Sequence, residues 1–381
     1  MPNLSRYGFL RTIKKNRMLF YPVAVAAAVR VIGAVWLYWL LSQTGTLHTA
    51  WMDANPNLIV GRSSSWLWLF NSWDSAHFTL IAQQGYAHPD YVFLPAYPIS
   101  IRLVGSLIGD FWLGAFLVTQ LFAFASLVMF QLLARFYLGE REALCATLLI
   151  ATFPYISVFT TLGYSEALFL FSTVSVWYSH KKGWMGASSL LAGVASITRI
   201  YGIAIIIPIF LDIVRSRDYR KLLYLTVPVA FLASWFLFCY LATGDPLASW
   251  SDEAAFTASS QAKFSLAQTI MNQLLGKIIG AAPVPFYLDP AILVSLSLFA
   301  YLIVKTWQVD HLLSAYAVPL FGALMVTAVN HLSLLRFLSF VFPIWLTIRV
   351  RRLTLVAVCI AFFVPVTLLL WFDAINVAFI G

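Results

Sequence analysis

Charge is scarce in this sequence of 381 residues: 10% are Asp, Glu, Lys or Arg, while 61% are hydrophobic. A soluble domain carries about 25% charged and about 45–50% apolar residues, so a water-soluble fold is excluded. Cysteine is rarer still. Cys145, Cys239 and Cys359 all fall inside apolar runs, where they form no plausible disulfide framework and lack the spacing of metal ligands. No P-loop, dinucleotide glycine fingerprint, HExxH pair or Gly-x-Ser-x-Gly elbow is present, which leaves soluble nucleotide chemistry without support. Fixed-period repeats and low-complexity linkers are also missing, so residues 1–381 are expected to form a single domain.

What the chain does contain is a series of long apolar stretches, such as residues 21–41 and 353–370. Each is close to the roughly 20 residues that cross a hydrocarbon core of about 30 Å. They run continuously instead of alternating in segments of about ten residues, which favours helices over an outer-membrane barrel. The expected fold is all-α, a polytopic integral membrane protein with about eleven transmembrane helices. The spans are residues 19–42, 112–137, 143–159, 165–180, 184–197, 202–214, 222–242, 285–305, 312–329, 334–348 and 353–371.

The net charge of +9 does not point to nucleic acid, because the basic residues sit in short clusters between apolar spans and form no stripe. Cytoplasmic loops carry excess Lys and Arg. With the N-terminus inside, seventeen of the 24 lysines and arginines become cytoplasmic, leaving Arg62, Arg102, Arg199, Lys263, Lys277 and Arg336 outside and Arg30 within the first span. Arg6, Arg11, Lys14, Lys15 and Arg17 precede an apolar run too long for a signal-peptide core, which reads as an uncleaved signal anchor.

Residues 93–109 are apolar enough to span, but a span there would invert every later loop. Pro95, Pro98 and Arg102 instead fit a helix lying along the outer surface. The first outer loop then covers about residues 43–110, and loops longer than about 15 residues are usually functional or disordered. Trp51, Trp66, Trp68, Phe70 and Trp73 argue against disorder in water.

On this topology Asp74, His77, Asp90, Glu166, Arg199, Asp245, His331 and Arg336 all gather on the outer side. Asp74 has a structural reading, as a first-turn acid of a short helix capped by Asn71 or Ser72. It also has a functional one: a carboxylate held at the membrane surface, with His77 three residues on and on the same helix face, suits a general base. Glu166 is either a helix-start acid after Ser165 or an intramembrane acid with a role in the site. Arg199 and Arg336 could hold a phosphate or snorkel to headgroups, and His331 is equally readable as ligand or interface residue. Arg30 lies near mid-span, where Arg costs about 2.5–3.5 kcal/mol, and needs a partner that the sequence does not identify. The 14 Trp, 17 Tyr and 31 Phe are taken as lipid-facing and interfacial, with no functional weight.

The residues alone support a membrane enzyme or transporter with an outer polar site. In a transporter or lipid flippase, mid-membrane ionisable residues line the path. Here Arg30 is the lone strongly charged mid-span residue, and no matching pair of broken helices is evident.

Several motifs then carry a family likeness. Trp73-Asp74-Ser75-Ala76-His77-Phe78, Ile81-Ala82, Gly85-Tyr86 and Phe93-Leu94-Pro95-Ala96-Tyr97-Pro98 together resemble the first-loop signature of the PIG-V family, the second mannosyltransferases of GPI-anchor assembly and their prokaryotic relatives. Gly163-Tyr164-Ser165-Glu166-Ala167-Leu168-Phe169 looks like the family's second motif. Gly244-Asp245-Pro246-Leu247-Ala248 is similar to a further outer element, and Arg336-Phe337 lies where a weaker late motif falls. The sequence departs from the pattern at Ser72, where the family often has Arg, and at Ala87-His88-Pro89 before Asp90, where an acid follows sooner.

The resemblance implies a GT-C glycosyltransferase fold and an inverting transfer of mannose from a polyprenyl- or dolichyl-phosphate donor to a glycolipid or glycan acceptor. It casts Asp74 as the catalytic base on the extracytoplasmic face. Beside the resemblance, charge and side of the membrane lead us to expect substrate contacts from His77, Tyr164, Glu166, Arg199, His331 and Arg336. No cofactor is implied, although Asp74 with Glu166 or His77 leaves room for a divalent cation. A chain this compact with no retention tail is expected in a prokaryotic plasma membrane, or in the ER if eukaryotic, in contact with membrane lipids and without nucleic acid.

Overall fold

The computed structural model describes residues 3–44, 66–71, 73–259, 290–327 and 331–376, and among them every regular element is helical. Helix α1 (Asn3–Thr44) opens the chain. After the first loop come α2 (Asp74–Gln84), α3 (Ala96–Ile108), α4 (Phe111–Ala134) and α5 (Glu140–Thr152). They are followed by α6 (Pro154–Phe159), α7 (Glu166–Lys181), α8 (Met185–Thr198), α9 (Ile206–Ser216) and α10 (Thr226–Thr243). The chain continues through α11 (Ala248–Ser259), α12 (Pro290–Thr306), α13 (His311–Thr327), α14 (His331–Ser339) and α15 (Leu353–Asn376).

Four stretches among the described residues are long and apolar enough to cross a bilayer: Phe20–Leu40, Phe111–Ala134, Tyr219–Thr243 and Leu353–Ile375. The protein is a membrane protein. Several of the expected spans are not single α-helices. Residues 143–159 break at Phe153, which is extended at ψ 129° because Pro154 disfavours a helical residue before it. Residues 202–214 begin as a 3₁₀ turn, Ile200–Ile205, before α9. Residues 334–348 divide into α14 and the 3₁₀ turn Phe342–Thr347, which carries Pro343 in its first turn. Part of span 285–305 lies outside the described residues, as do Trp51, Arg62, Lys263 and Lys277.

Residues 93–109, expected as a surface-lying helix, do form the amphipathic α3. Ala96, Tyr97, Ile101 and Gly105 are buried, while Ile99, Leu103 and Leu107 are exposed. Glycine lets α3 sit against α4, since a Cβ at Gly114 would stand 2.9 Å from the Gly105 Cα.

The bundle packs α4 on α7, α7 on α8 and α8 on α10. At the end of α7 that carries Lys181, the loops expected to be cytoplasmic meet: Lys181 Nζ donates to Asp310 at 2.8 Å and Arg351 Nε to Glu142 at 2.8 Å. Arg351 also holds the Glu142 carboxyl below the ordinary Glu range. The other end of α7 begins at Glu166 and carries the polar cluster described next.

Candidate active site

Asp74 is the first residue of α2, and the residue before it is conformationally unusual. Trp73 sits at φ 53° and ψ −124°, a left-handed setting that costs a non-glycine residue about 1–3 kcal/mol. Packing holds it there: Trp73 Nε1 donates to the Ala374 carbonyl of α15 at 2.9 Å. The 3₁₀ turn Trp66–Phe70 is pinned in the same way, with Trp371 Nε1 on the Leu69 carbonyl at 2.8 Å and Phe70 against Trp371 at 5.4 Å. The expected cap by Asn71 is not what starts α2. Trp73 occupies the cap position with no side-chain cap bond, Asn71 Nδ2 donates back to the Leu67 carbonyl at 3.0 Å, and Ser72 lies outside the described residues. Tertiary contacts to α15 replace the local cap.

The second motif docks directly on the first. Gly163 N–H donates to the Phe70 carbonyl at 2.7 Å, and a Cβ at Gly163 would stand 2.7 Å from Asn71 Oδ1 and 3.1 Å from Ser75 Cβ. Any side chain at that position would have to displace Asn71. Tyr164 is buried, with its hydroxyl beside the Asp74 backbone. Ser165 precedes α7 as expected but makes no side-chain cap bond, so Glu166 enters the helix uncapped, with its side chain 1% exposed.

Four charged residues from distant parts of the chain converge here. Arg199, in extended conformation where α8 ends, donates from Nη2 to Glu166 Oε1 at 2.6 Å. Arg336 of α14 donates from Nε to that same oxygen, with its Nη2 in ion-pair contact with it. Arg336 Nη2 also stands 3.6 Å from Asp74 Oδ2. Aromatic faces complete the cage: Arg336 lies 4.1 Å from the Phe159 ring centroid and 4.6 Å from Tyr164, and Arg199 lies 4.7 Å from Phe337. The cluster holds two cations and two carboxylates, so it is neutral with all four ionised.

Accessibility separates the four. The Arg336 and Glu166 side chains are 2% and 1% exposed, whereas Asp74 keeps 27% of its side chain accessible. Asp74 is therefore the carboxylate of the cluster that another molecule can reach. Burial of its remainder raises the Asp74 carboxyl above the ordinary range; Arg336 opposes that shift, Glu166 adds to it, and His77 and Arg199 oppose it. A carboxylate raised in this way is a better proton acceptor than one in water.

His77, one turn along α2, is bonded through Nδ1 to Asp90 Oδ1 at 2.7 Å and stacks on Phe93 at 5.2 Å. Asp245 serves as a turn acceptor, taking Leu247 N–H at 2.8 Å and the Ser251 hydroxyl at 2.9 Å. His331 starts α14, but its side chain lies outside the described residues. Glu166 Oε1 is taken by both guanidiniums, and no three His, Cys, Asp or Glu side chains gather as metal ligands among the described residues.

Two residues escaped the sequence reading. Asp252 ties α11 to the first loop, accepting Tyr91 N–H at 2.9 Å and pairing with His88 Nδ1 at 2.7 Å. Its neighbour Glu253 is brought into the field of Asp74 and Arg199, and burial followed by the Asp74 charge raises its carboxyl above the ordinary range. The adjacent acids in Ser251-Asp252-Glu253, just after the Gly244-Asp245-Pro246 element, were the signal available for both.

The family described as Mannosyltransferase (PIG-V) matches residues 18–248. The chain belongs to the PIG-V mannosyltransferase family. The PIG-V match includes Asp74, His77, Tyr164, Glu166 and Arg199 and stops short of Glu253, His331 and Arg336. The GPI alpha-1,6-mannosyltransferase 2 of Mus musculus is 32% identical over 143 residues, which is 34% of this chain and 29% of that protein. The Rattus norvegicus protein of the same name matches over the same shares at 32% identity. The match thus spans under a third of those relatives. The apo oligosaccharyltransferase of Archaeoglobus fulgidus superposes with a TM-score of 0.50 at 12% identity, covering 95% of this chain and 56% of that one, a likeness of fold. ArnT from Cupriavidus metallidurans gives a TM-score of 0.47 at 16% identity, covering 81% of this chain and 59% of that one.

Proposed function

We propose that this chain is an inverting mannosyltransferase that takes mannose from a polyprenyl-phosphate donor and places it on a hydroxyl of a glycolipid or glycan. The observation that carries the reading is the accessible Asp74 carboxylate beside the enclosed Arg336 guanidinium, 3.6 Å apart. Membership of the PIG-V family supports the sugar and the reaction class.

In the proposed step the acceptor oxygen forms a bond to the anomeric carbon as its proton passes to Asp74. The bond from that carbon to the phosphate oxygen breaks, and the electron pair leaves with the lipid phosphate. Arg336 and Arg199 stabilise the charge growing on that phosphate. Glu166 holds both guanidiniums in place and keeps them ionised in a water-poor site. Tyr164 fixes the start of α2 through the Asp74 backbone. His77 and Glu253, both within the electrostatic reach of Asp74, are the groups for sugar hydroxyls.

The site would face the extracytoplasmic side, with the N-terminus inside, as the basic loops gathered at the far end of α7 support. A prokaryotic plasma membrane is the proposed home. The test is transfer from radiolabelled polyprenyl-phosphate mannose by the purified chain in detergent with a lipid-glycan acceptor. Transfer at the wild-type rate by a folded Asp74→Asn variant would remove Asp74 as base.

A further inference from the structure

The 3₁₀ turn Asp90–Val92 of the first loop is gripped from two sides. On one side the Asp90 carboxylate pairs with His77 Nδ1 of α2 at 2.7 Å. On the other, the N–H of the next residue, Tyr91, donates to Asp252 Oδ2 of α11 at 2.9 Å, while Asp252 Oδ1 pairs with His88 Nδ1 at 2.7 Å. The first N–H groups of a helical turn have no acceptor within the turn, and here one is supplied from 161 positions along the chain. The Asp252 side chain is 6% exposed, so the bond it makes is shielded from competing water.

These two grips connect the helices that matter to the site. His77 lies one turn after Asp74 on α2, and Glu253 follows Asp252 on α11, so consecutive residues of one short turn tie the two helices together. The base of α11 is set by separate contacts: Trp235 Nε1 donates to Ser249 Oγ at 2.9 Å, and Tyr91, Leu94, Trp235, Cys239 and Ala248 share one apolar cluster. Removing the Asp252 carboxylate strands the Tyr91 N–H and releases α11 from the turn while its base stays attached.

Glu253 is half-buried and within the electrostatic reach of Asp74 and Arg199. Glu166 already serves both arginines, and a further carboxylate on the phosphate would oppose departure of an anion. Neutral hydroxyls carry no such penalty, since each can donate to a carboxylate oxygen. Asp252 and Glu253 both lie past residue 248, where the family match ends, so membership of the family assigns a role to neither.

We propose that Asp252 is a positioning residue that clamps α11 to the first loop, and that the Glu253 it holds there binds hydroxyls of the acceptor sugar. The second half of this assignment rests on the transferase reading above; the clamp does not.

The experiment has two arms, both on the full chain in lipid nanodiscs. In the first, Glu253→Cys is labelled with a charged methanethiosulfonate reagent, with the wild type as blank for the natural cysteines. Adding Asp252→Ala is expected to speed labelling about tenfold, the scale of one lost charge-assisted hydrogen bond, whereas Asp252→Asn, which keeps an oxygen for Tyr91, should stay near the parent rate. In the second arm, mannose transfer from the radiolabelled polyprenyl-phosphate donor to octyl α-mannoside is followed. Glu253→Gln and Asp252→Ala should each raise KM for octyl α-mannoside about tenfold and leave the donor KM unchanged, and Asp252→Asn should recover most of the loss.

Equal labelling with and without Asp252→Ala overturns the clamp. An acceptor KM unmoved by Glu253→Gln, or a loss confined to kcat and thermal stability, overturns the role of Glu253. A wild type that transfers no mannose removes the transferase reading and the acceptor role with it, and labelling still decides the clamp. Should Asp252→Ala fail to fold, His88→Ala, which removes one prong at an exposed position, replaces it in both arms with the same direction expected.

Discussion

Arg336 is shared by two carboxylates: its guanidinium bonds Glu166 and its Nη2 stands 3.6 Å from Asp74 Oδ2. Glu166 satisfies most of that cation, and what remains acts on Asp74 without locking it into a tight pair. Asp74 is left with one face free and a proton affinity balanced between burial, which raises it, and the guanidiniums, which lower it.

Replacing Asp74 by Asn keeps the shape and removes the base. Transfer is expected to fall by about 10²–10⁴-fold, the usual worth of general-base assistance, with little change in melting temperature. A parallel loss of the folded protein would reassign Asp74 to stability instead.

The pH profile follows from the raised Asp74 carboxyl. A base works only when deprotonated, so kcat/KM should drop as pH falls through a value above the ordinary Asp range. Arg199 lowers the Asp74 value, so Arg199→Gln should move that acidic limb to still higher pH. A limb that stays put in the variant would show that another group is titrating. The effect on stability has the opposite sense. The folded protein holds this proton more tightly than the unfolded chain, so the Asp74 contribution to stability declines as pH rises through the same interval.

Glu166 neutralises two buried guanidiniums, and removing it strands both. Glu166→Ala is expected to destabilise the protein by about 3–5 kcal/mol, read as a large loss of thermal stability in detergent. A variant that melts like the wild type would argue that water reaches the arginines.

Gly163→Ala tests the joint between the two motifs. The added methyl would meet Asn71 Oδ1 at 2.7 Å, forcing the loop and the start of α2 apart. Because misplacing a catalytic group by about 1 Å can cost about 10²-fold, activity should fall on that scale. Unaltered turnover would mean that the contact is slack.

The membrane character and the clustering of basic residues between apolar runs were legible early, because hydropathy and local charge are sums over neighbouring residues. A separate helix within residues 93–109 was legible too, and it forms as Ala96–Ile108. Asp74, Glu166, Arg199 and Arg336 stood out singly, each for the cost of placing a charge near lipid. Where sequence reasoning erred, a distant contact overrode a local preference: Trp73, held by Ala374, begins α2 in place of Asn71, and proline splits spans that hydropathy joined.

By itself, then, the sequence determined that the chain is helical, crosses a membrane and carries the PIG-V motifs on one side. Only the tertiary structure decided that Arg199 and Arg336 meet on a single Glu166 oxygen, that Arg30 rests on Thr160, and that Glu253 enters the field of Asp74. The physical reason is range. Burial of apolar surface is encoded residue by residue, whereas a buried charge is satisfied only by whichever partner the folded bundle brings within a few ångströms, and that partner can lie anywhere along the chain.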